Sequence, residues 1–146
     1  MSGVRAGWPE EYEPAVPFER SFDARYGLKV VSEDVAGEGV VHARIAVVAE
    51  VLDRHGALHG GVFAAAAEAL ASSGTALAVV PRGSAAMGLS NDTTVLERVT
   101  GGELAFVARV VSRGDDAWVW TVDARDAENR PCSHSRVTVA VRPIPA

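Results

Sequence analysis

Between His59 and Arg82 the sequence holds a single ionisable side chain, Glu68, set in the run VFAAAAEALASSGTALAVV. An isolated carboxylate on a buried helix is costly unless it has a task or a partner. Glu68 is therefore a candidate general base or nucleophile. Ser72 lies four residues on, hence on the same helical face, where it could hold a water beside the carboxylate. The plain alternative is that Glu68 faces solvent or an arginine from a neighbouring strand. At the head of the same run stands His59-Gly60-Gly61. A helix start offers unpaired N–H groups and the positive end of the dipole, and glycine lets a ligand carbonyl approach that backbone. The pair Gly60 and Gly61 thus outlines an oxyanion hole, suited to charge developing on an acyl oxygen.

Distance then makes a demand. Gly60 and Glu68 are separated by about 12 Å at a helical rise of roughly 1.5 Å per residue. A reacting carbon must come within about 3–3.5 Å of the group that attacks it. One helix cannot serve both ends of that reaction. If both residues act, they belong to different subunits with helices side by side, and the chain works as an oligomer with sites at the interface.

Other groupings carry less. Asp53, His55 and His59 resemble a metal site in composition, but His55 and His59 would share a face only in a helix and Gly56 between them favours a loop, so metal binding is not expected. Cys132-Ser133-His134 puts a thiol near an imidazole, with i and i+2 on one strand face but without a catalytic geometry. No G-x-S-x-G elbow, P-loop or G-x-G-x-x-G turn occurs.

The elements that must position these residues follow from periodicity. Residues 28–31 and 40–48 look like strands; in the second, Val41, Ala43, Ile45 and Val47 share one face while His42 and Arg44 take the other. From Gly60 to about Val80, Phe63, Ala66, Ala67, Leu70, Gly74 and Leu77 follow helical spacing, and Pro81 ends the run. Small residues all round this helix imply close packing on nearly every side. Four strand-like segments follow, at 85–96, 104–111, 117–124 and 136–142, joined by short polar turns. Short links imply antiparallel neighbours, because parallel crossovers need a dozen or more residues. The expected architecture is α+β, with one long helix lying on an antiparallel sheet.

Composition limits the functions this architecture can serve. With 48% hydrophobic and 23% charged residues the chain reads as one globular domain. Residues 1–20, with Pro9, Pro14 and Pro17, read as an irregular arm, laid across a partner subunit, and 21–146 as the domain. The net charge of −5 argues against nucleic acid. Uncharged runs shorter than the roughly 20 apolar residues of a membrane span, and an N-terminus without an apolar signal core, argue against membrane and export. The lone Cys132 fits a reducing cytoplasm. All seven basic groups after residue 97 are arginines (98, 109, 113, 125, 130, 136, 142), whose planar forks suit phosphate. Each of them could equally do no more than solvate an outer sheet face.

At this point the residues resemble a known family. The string HGALHGGVFAAAAEALASSGTALAVV is similar to the helix motif of hotdog-fold acyl-CoA thioesterases, in the branch of the phenylacetic-acid-degradation type. With glutamate at Glu68 it looks like the glutamate-type 4-hydroxybenzoyl-CoA thioesterases. The segments MGLSNDTTVLERV and WVWTVDARDAENRPCSHSRVTVAVRP extend the likeness over residues 50–143.

The resemblance implies a hotdog fold, a sheet wrapped around a central helix, with dimers that join their sheets and tetramers built from them. It implies that Gly60 N–H polarises a thioester carbonyl while Glu68 of the facing subunit acts as nucleophile or base. By the same carry-over Ser72 positions water, His59 lines the site, Gly61, Asn91 and Thr93 meet substrate, and Arg142 meets the coenzyme A phosphates. Asp53 stands where relatives carry an amide, and when ionised it cannot donate a hydrogen bond. Asp115 and Asp116 stand where the aromatic thioesterases have hydroxyl residues. The expected reaction is hydrolysis of a small acyl-CoA, aromatic or not, to free acid and coenzyme A, with no cofactor. The alternatives are a hotdog hydratase or dehydratase and a non-catalytic acyl-CoA-binding oligomer.

Overall fold

A computed structural model of the chain describes residues 14–145. Residues 1–13, most of the expected arm, lie outside the described residues. A 3-10 turn at Phe18–Arg20 leads into the four-residue helix α1, Phe22–Arg25, whose N-cap Ser21 accepts the Ala24 amide. The strands are β1 (Lys29–Asp34), β2 (Val40–Ala46), β3 (Ser84–Val95), β4 (Glu103–Arg113), β5 (Ala117–Arg125) and β6 (Pro131–Pro143), with the long helix α2 (Gly60–Val79) between β2 and β3.

Helix α2 forms where eight alanines fall within twenty residues, the composition of highest helix propensity. A 3-10 turn at Val80–Arg82 and Gly83, at φ +82°, stop it. By length and hydropathy the stretch 60–82 would also suit a membrane span. In the fold, Phe63, Ala66, Ala67, Leu70, Ala71, Gly74 and Thr75 are buried against the sheet, which accounts for the apolar composition as that of a core helix.

The six strands form one antiparallel sheet in the order β1-β2-β4-β5-β6-β3. Period-two alternation decides the faces as expected. Val41, Ala43 and Ile45, Leu104, Phe106 and Ala108, Trp118, Trp120 and Val122, and Val137, Val139 and Val141 are all buried beneath α2, while His42 and Arg44 are exposed. The β4–β5 and β5–β6 hairpins match the short turns.

The link from β3 to β4 does not make a hairpin. β3 pairs with β6 at one edge, whereas β4 pairs with β2 inside the sheet. Residues 96–102 carry the chain past β6 and β5, a span of about 14 Å at roughly 4.8 Å per strand, which seven extended residues cover readily. Local bonds secure the crossing: Leu96 N–H donates to Cys132 O, and Val99 O accepts from Leu58 N–H at 2.7 Å. Linker length alone could not separate a crossing from a turn. Cys132 and His134 also part company. A register shift at Ala124/Arg125 leaves Cys132 in the core and His134 exposed, on Asp123 Oδ1 at 2.8 Å.

Candidate active site

His59 caps α2. Its Nδ1 accepts the Gly61 amide at 2.9 Å and its carbonyl accepts Val62 N–H. That geometry puts the neutral ring's proton on Nε2. It also spends the Gly61 amide on the cap, and leaves Gly60 N–H without an acceptor among the described residues. The free donor at the helix start is therefore Gly60, and Gly61 contributes its missing side chain: a Cβ there would sit 2.9 Å from His59 Nδ1. Gly60 opens into a cleft of about 500 Å³ walled by Asp53, His55, Leu58, Val95, Leu96 and Arg98.

Asp53 builds one wall of that cleft by holding its own loop. Oδ1 accepts the His55 amide at 2.8 Å and the Ala57 amide at 3.1 Å. The hydrogen bond from Ala57, then that from His55, hold its carboxyl below the usual carboxylate range. From the opposite wall Arg98 donates to the His55 carbonyl. His55, His59 and Asp53 do not converge, and no group of three or more His, Cys, Asp or Glu side chains does so among the described residues.

Glu68 stands two turns further along α2, on the side facing the edge strand β3. In the protomer it is exposed, which corrects the expectation of a carboxylate buried in an apolar face. Alanines surround this helix, so the sequence alone could not separate the face that meets the sheet from the face left open. The ion pairs among the described residues join Arg44–Glu103, Arg130–Asp126, Arg130–Glu128 and His134–Asp123, and none includes Glu68. Its carboxylate rests over Gly88 of β3: a Cβ at Gly88 would lie 2.3 Å from Oε1. Close by, the phenol of buried Tyr26 is pushed to high pKa by burial, by its hydrogen bond to Asp23 and by the Asp23 charge, with a lesser push from Glu68. Ser72 Oγ is buried with no partner among the described residues, although its neighbours Ser73 and Thr75 both donate to helix carbonyls.

The other expected substrate contacts, Arg142, Asn91 and Thr93, have hydrogen-bond partners within the protomer. Arg142 lies at the opposite end of the helix from Gly60, where it donates to Asp116 O and Val141 O at 2.8 Å. Of the two acidic residues before β5, Asp116 thus offers it a backbone carbonyl. Asn91 and Thr93 are engaged with each other, and Asn91 reaches the helix. Of the seven late arginines, five donate to protein partners, and Arg109 and Arg136 flank Thr121 on the outer sheet face.

A helix start with one amide unpartnered among the described residues, a carboxylate two turns on and a sheet packed on that helix form the candidate site. Comparison with known proteins gives the family. The thioesterase superfamily is matched over residues 55–133. A Haemophilus influenzae protein provisionally named an esterase is 32% identical over 105 residues, 72% of this chain and 75% of that protein. The crystal structure of a thioesterase from the same organism superposes with a TM-score of 0.77 at 28% identity, covering 85% of this chain and 84% of that one. A Pseudomonas aeruginosa thioesterase, solved with a glutamine replaced by alanine, gives 0.81 at 26% identity over 86% and 88% of the two chains. The chain belongs to the thioesterase superfamily and has its hotdog fold.

Proposed function

We propose that the protein is an acyl-CoA thioesterase, most akin to the glutamate-type 4-hydroxybenzoyl-CoA enzymes, acting on a small acyl group at a site shared by two subunits. The observation that carries this reading is the pairing of a Gly60 amide in an open cleft with an exposed Glu68 about 12 Å along the same helix, neither of them partnered among the described residues. β3 is an edge strand with one side of its backbone unpaired, and it exposes Met87, Leu89 and Val95. Such an edge is a template for a second copy. Two β3 strands joined across a two-fold axis set two α2 helices side by side, with Glu68 of one facing Gly60 of the other.

In that arrangement the thioester oxygen accepts from Gly60 N–H and feels the helix dipole. Glu68 of the facing subunit either takes a proton from the water that attacks the carbonyl carbon, or itself adds to that carbon and, as the C–S bond breaks, holds the acyl group as an anhydride that water then hydrolyses. In both cases water supplies the oxygen of the free acid and the proton with which coenzyme A leaves as a thiol. Ser72, whose hydroxyl lacks a protein partner, supplies a hydrogen bond for that water. Asp53, committed to its loop, shapes the cleft. The test is thiol release over a panel of aryl-, arylacetyl- and aliphatic-CoA substrates. Turnover of at least one, lowered about a hundredfold or more in Glu68→Ala, is the expected result. Binding without thiol release would instead leave a non-catalytic acyl-CoA-binding protein. Glu68→Gln, nearly equal in volume, should keep the assembly and lose the turnover.

A further inference from the structure

We propose that Asn91 is a positioning residue for Glu68, set in that role by Thr93 and Ser135. Asn91 Nδ2 donates to Ala64 O at 2.8 Å. Ala64 O is the carbonyl that accepts the Glu68 amide in the i→i−4 ladder of α2. Asn91 thus grips the turn that carries Glu68, from the strand on which the Glu68 carboxylate rests.

The amide must present its NH₂ to a carbonyl, and the network assigns that orientation. Thr93 Oγ1 donates to Asn91 Oδ1 at 2.7 Å, which turns Nδ2 toward the helix. Having one proton, Thr93 Oγ1 can only accept from Ser135 Oγ, 2.7 Å away. Ser135 is buried on β6. The chain of donors therefore runs from Ser135 to Thr93, to Asn91 and to the Ala64 carbonyl. It starts in the sheet and ends on the helix. Among the described residues β3 is bonded to the sheet through β6 alone, so its height above α2 is otherwise set by side-chain packing, which tolerates sliding. A hydrogen bond at 2.8 Å does not tolerate an ångström of it. An error of that size in a reacting group costs up to about a hundredfold in rate.

This inference rests on Glu68 being the reacting carboxylate. The experiment measures kcat and KM for thiol release, with thermal melting and amide hydrogen exchange over residues 64–72, in Asn91→Leu, Thr93→Val, Thr93→Ser and Glu68→Gln. In Asn91→Leu, kcat should fall about ten- to a hundredfold with KM within about twofold, and exchange at 64–72 should quicken. Thr93→Val, of matching volume, should lose a smaller factor in kcat, and Thr93→Ser should retain it. A raised KM with kcat intact would make Asn91 a substrate contact and overturn the proposal. Equal losses in Thr93→Val and Thr93→Ser would also overturn it, since the hydroxyl would then not matter. If Asn91→Leu fails to fold, Thr93→Val decides. Full turnover in Glu68→Gln would remove the reading of Glu68 and this role with it. A dead Glu68→Gln beside an unaltered Asn91→Leu overturns the positioning role alone.

Discussion

Gly88 is where a single missing side chain most directly serves Glu68. A methyl group there would meet Glu68 Oε1 at 2.3 Å, with Cδ and Cγ at 3.2 and 3.3 Å. The obstacle is the mobile end of a side chain, so the backbone need not move and the carboxylate must. Gly88→Ala is therefore expected to melt close to the parent, since surface changes of this kind usually stay within about 0.5 kcal/mol. Its kcat should nonetheless fall at least about tenfold, by the sensitivity of reaction to misplacement. Melting and steady-state thiol release check the two halves separately, and unchanged turnover would show that the carboxylate works from elsewhere. Part of this scale was visible from residue order. Glu68 and the His59-Gly60-Gly61 cap were legible because their types are rare in their surroundings. Gly88 and Asn91 meet α2 through contacts between residues 20 and 27 positions apart, and Thr93 meets Ser135 of β6 at 42 positions, where spacing rules do not reach. The bond from Arg142 to the Asp116 carbonyl is of the same kind, joining residues 26 positions apart beside the β5–β6 pairing.

Among the elements, α2 owes its seat to Gly74. The Trp120 ring, fully buried on β5, packs where a Gly74 Cβ would be, 2.6 Å from Cη2, while Val41 Cγ2 closes the other side at 3.4 Å. Trp120 Nε1 donates to Thr75 Oγ1 at 2.9 Å, and Thr75 Oγ1 donates to Ala71 O at 2.8 Å, so the ring cannot retreat without stranding a buried donor. Gly74→Ala should destabilise the protein by about 1–3 kcal/mol, the usual cost of overpacking, in spite of alanine's better helix propensity. Chemical denaturation of Gly74→Ala and Gly74→Ala/Trp120→Phe checks the cause, because the smaller ring should recover part of the loss. A gain in stability from Gly74→Ala alone would refute the fit. Helix α2 and the strand faces were legible because each has a period and a buried side. Helix α1 was not, since four residues capped by Ser21 have no period to read. The β3–β4 crossing was hidden for a different reason: a short polar link is equally compatible with a hairpin and with a passage across two strands.

At the scale of the whole molecule, the separation of Gly60 from Glu68 becomes a statement about assembly. Helical rise fixes that separation at about 12 Å whatever the side chains do, and no substrate carbonyl reaches both from one α2. The exposed Glu68 and the open edge of β3 lie on the same side of the protomer, so the surface that would meet a second copy also carries the carboxylate. Complementation reads this directly. A Glu68→Ala chain is mixed with a Gly60→Val chain, each inactive by itself, under conditions that let subunits exchange. Gly60→Val is a fair partner because its added bulk meets Val95 Cγ2, 3.6 Å from the position of a Cβ, in the cleft rather than in the core. In a mixed dimer with shared sites, one site carries both lesions and the other carries none, so about half of the sites in mixed dimers should regain full turnover. If each site belonged to one chain, every site would keep a lesion and mixing would restore nothing. Native mass spectrometry establishes that mixed dimers have formed. Their presence without recovered activity would put both residues' work, or neither's, within a single subunit.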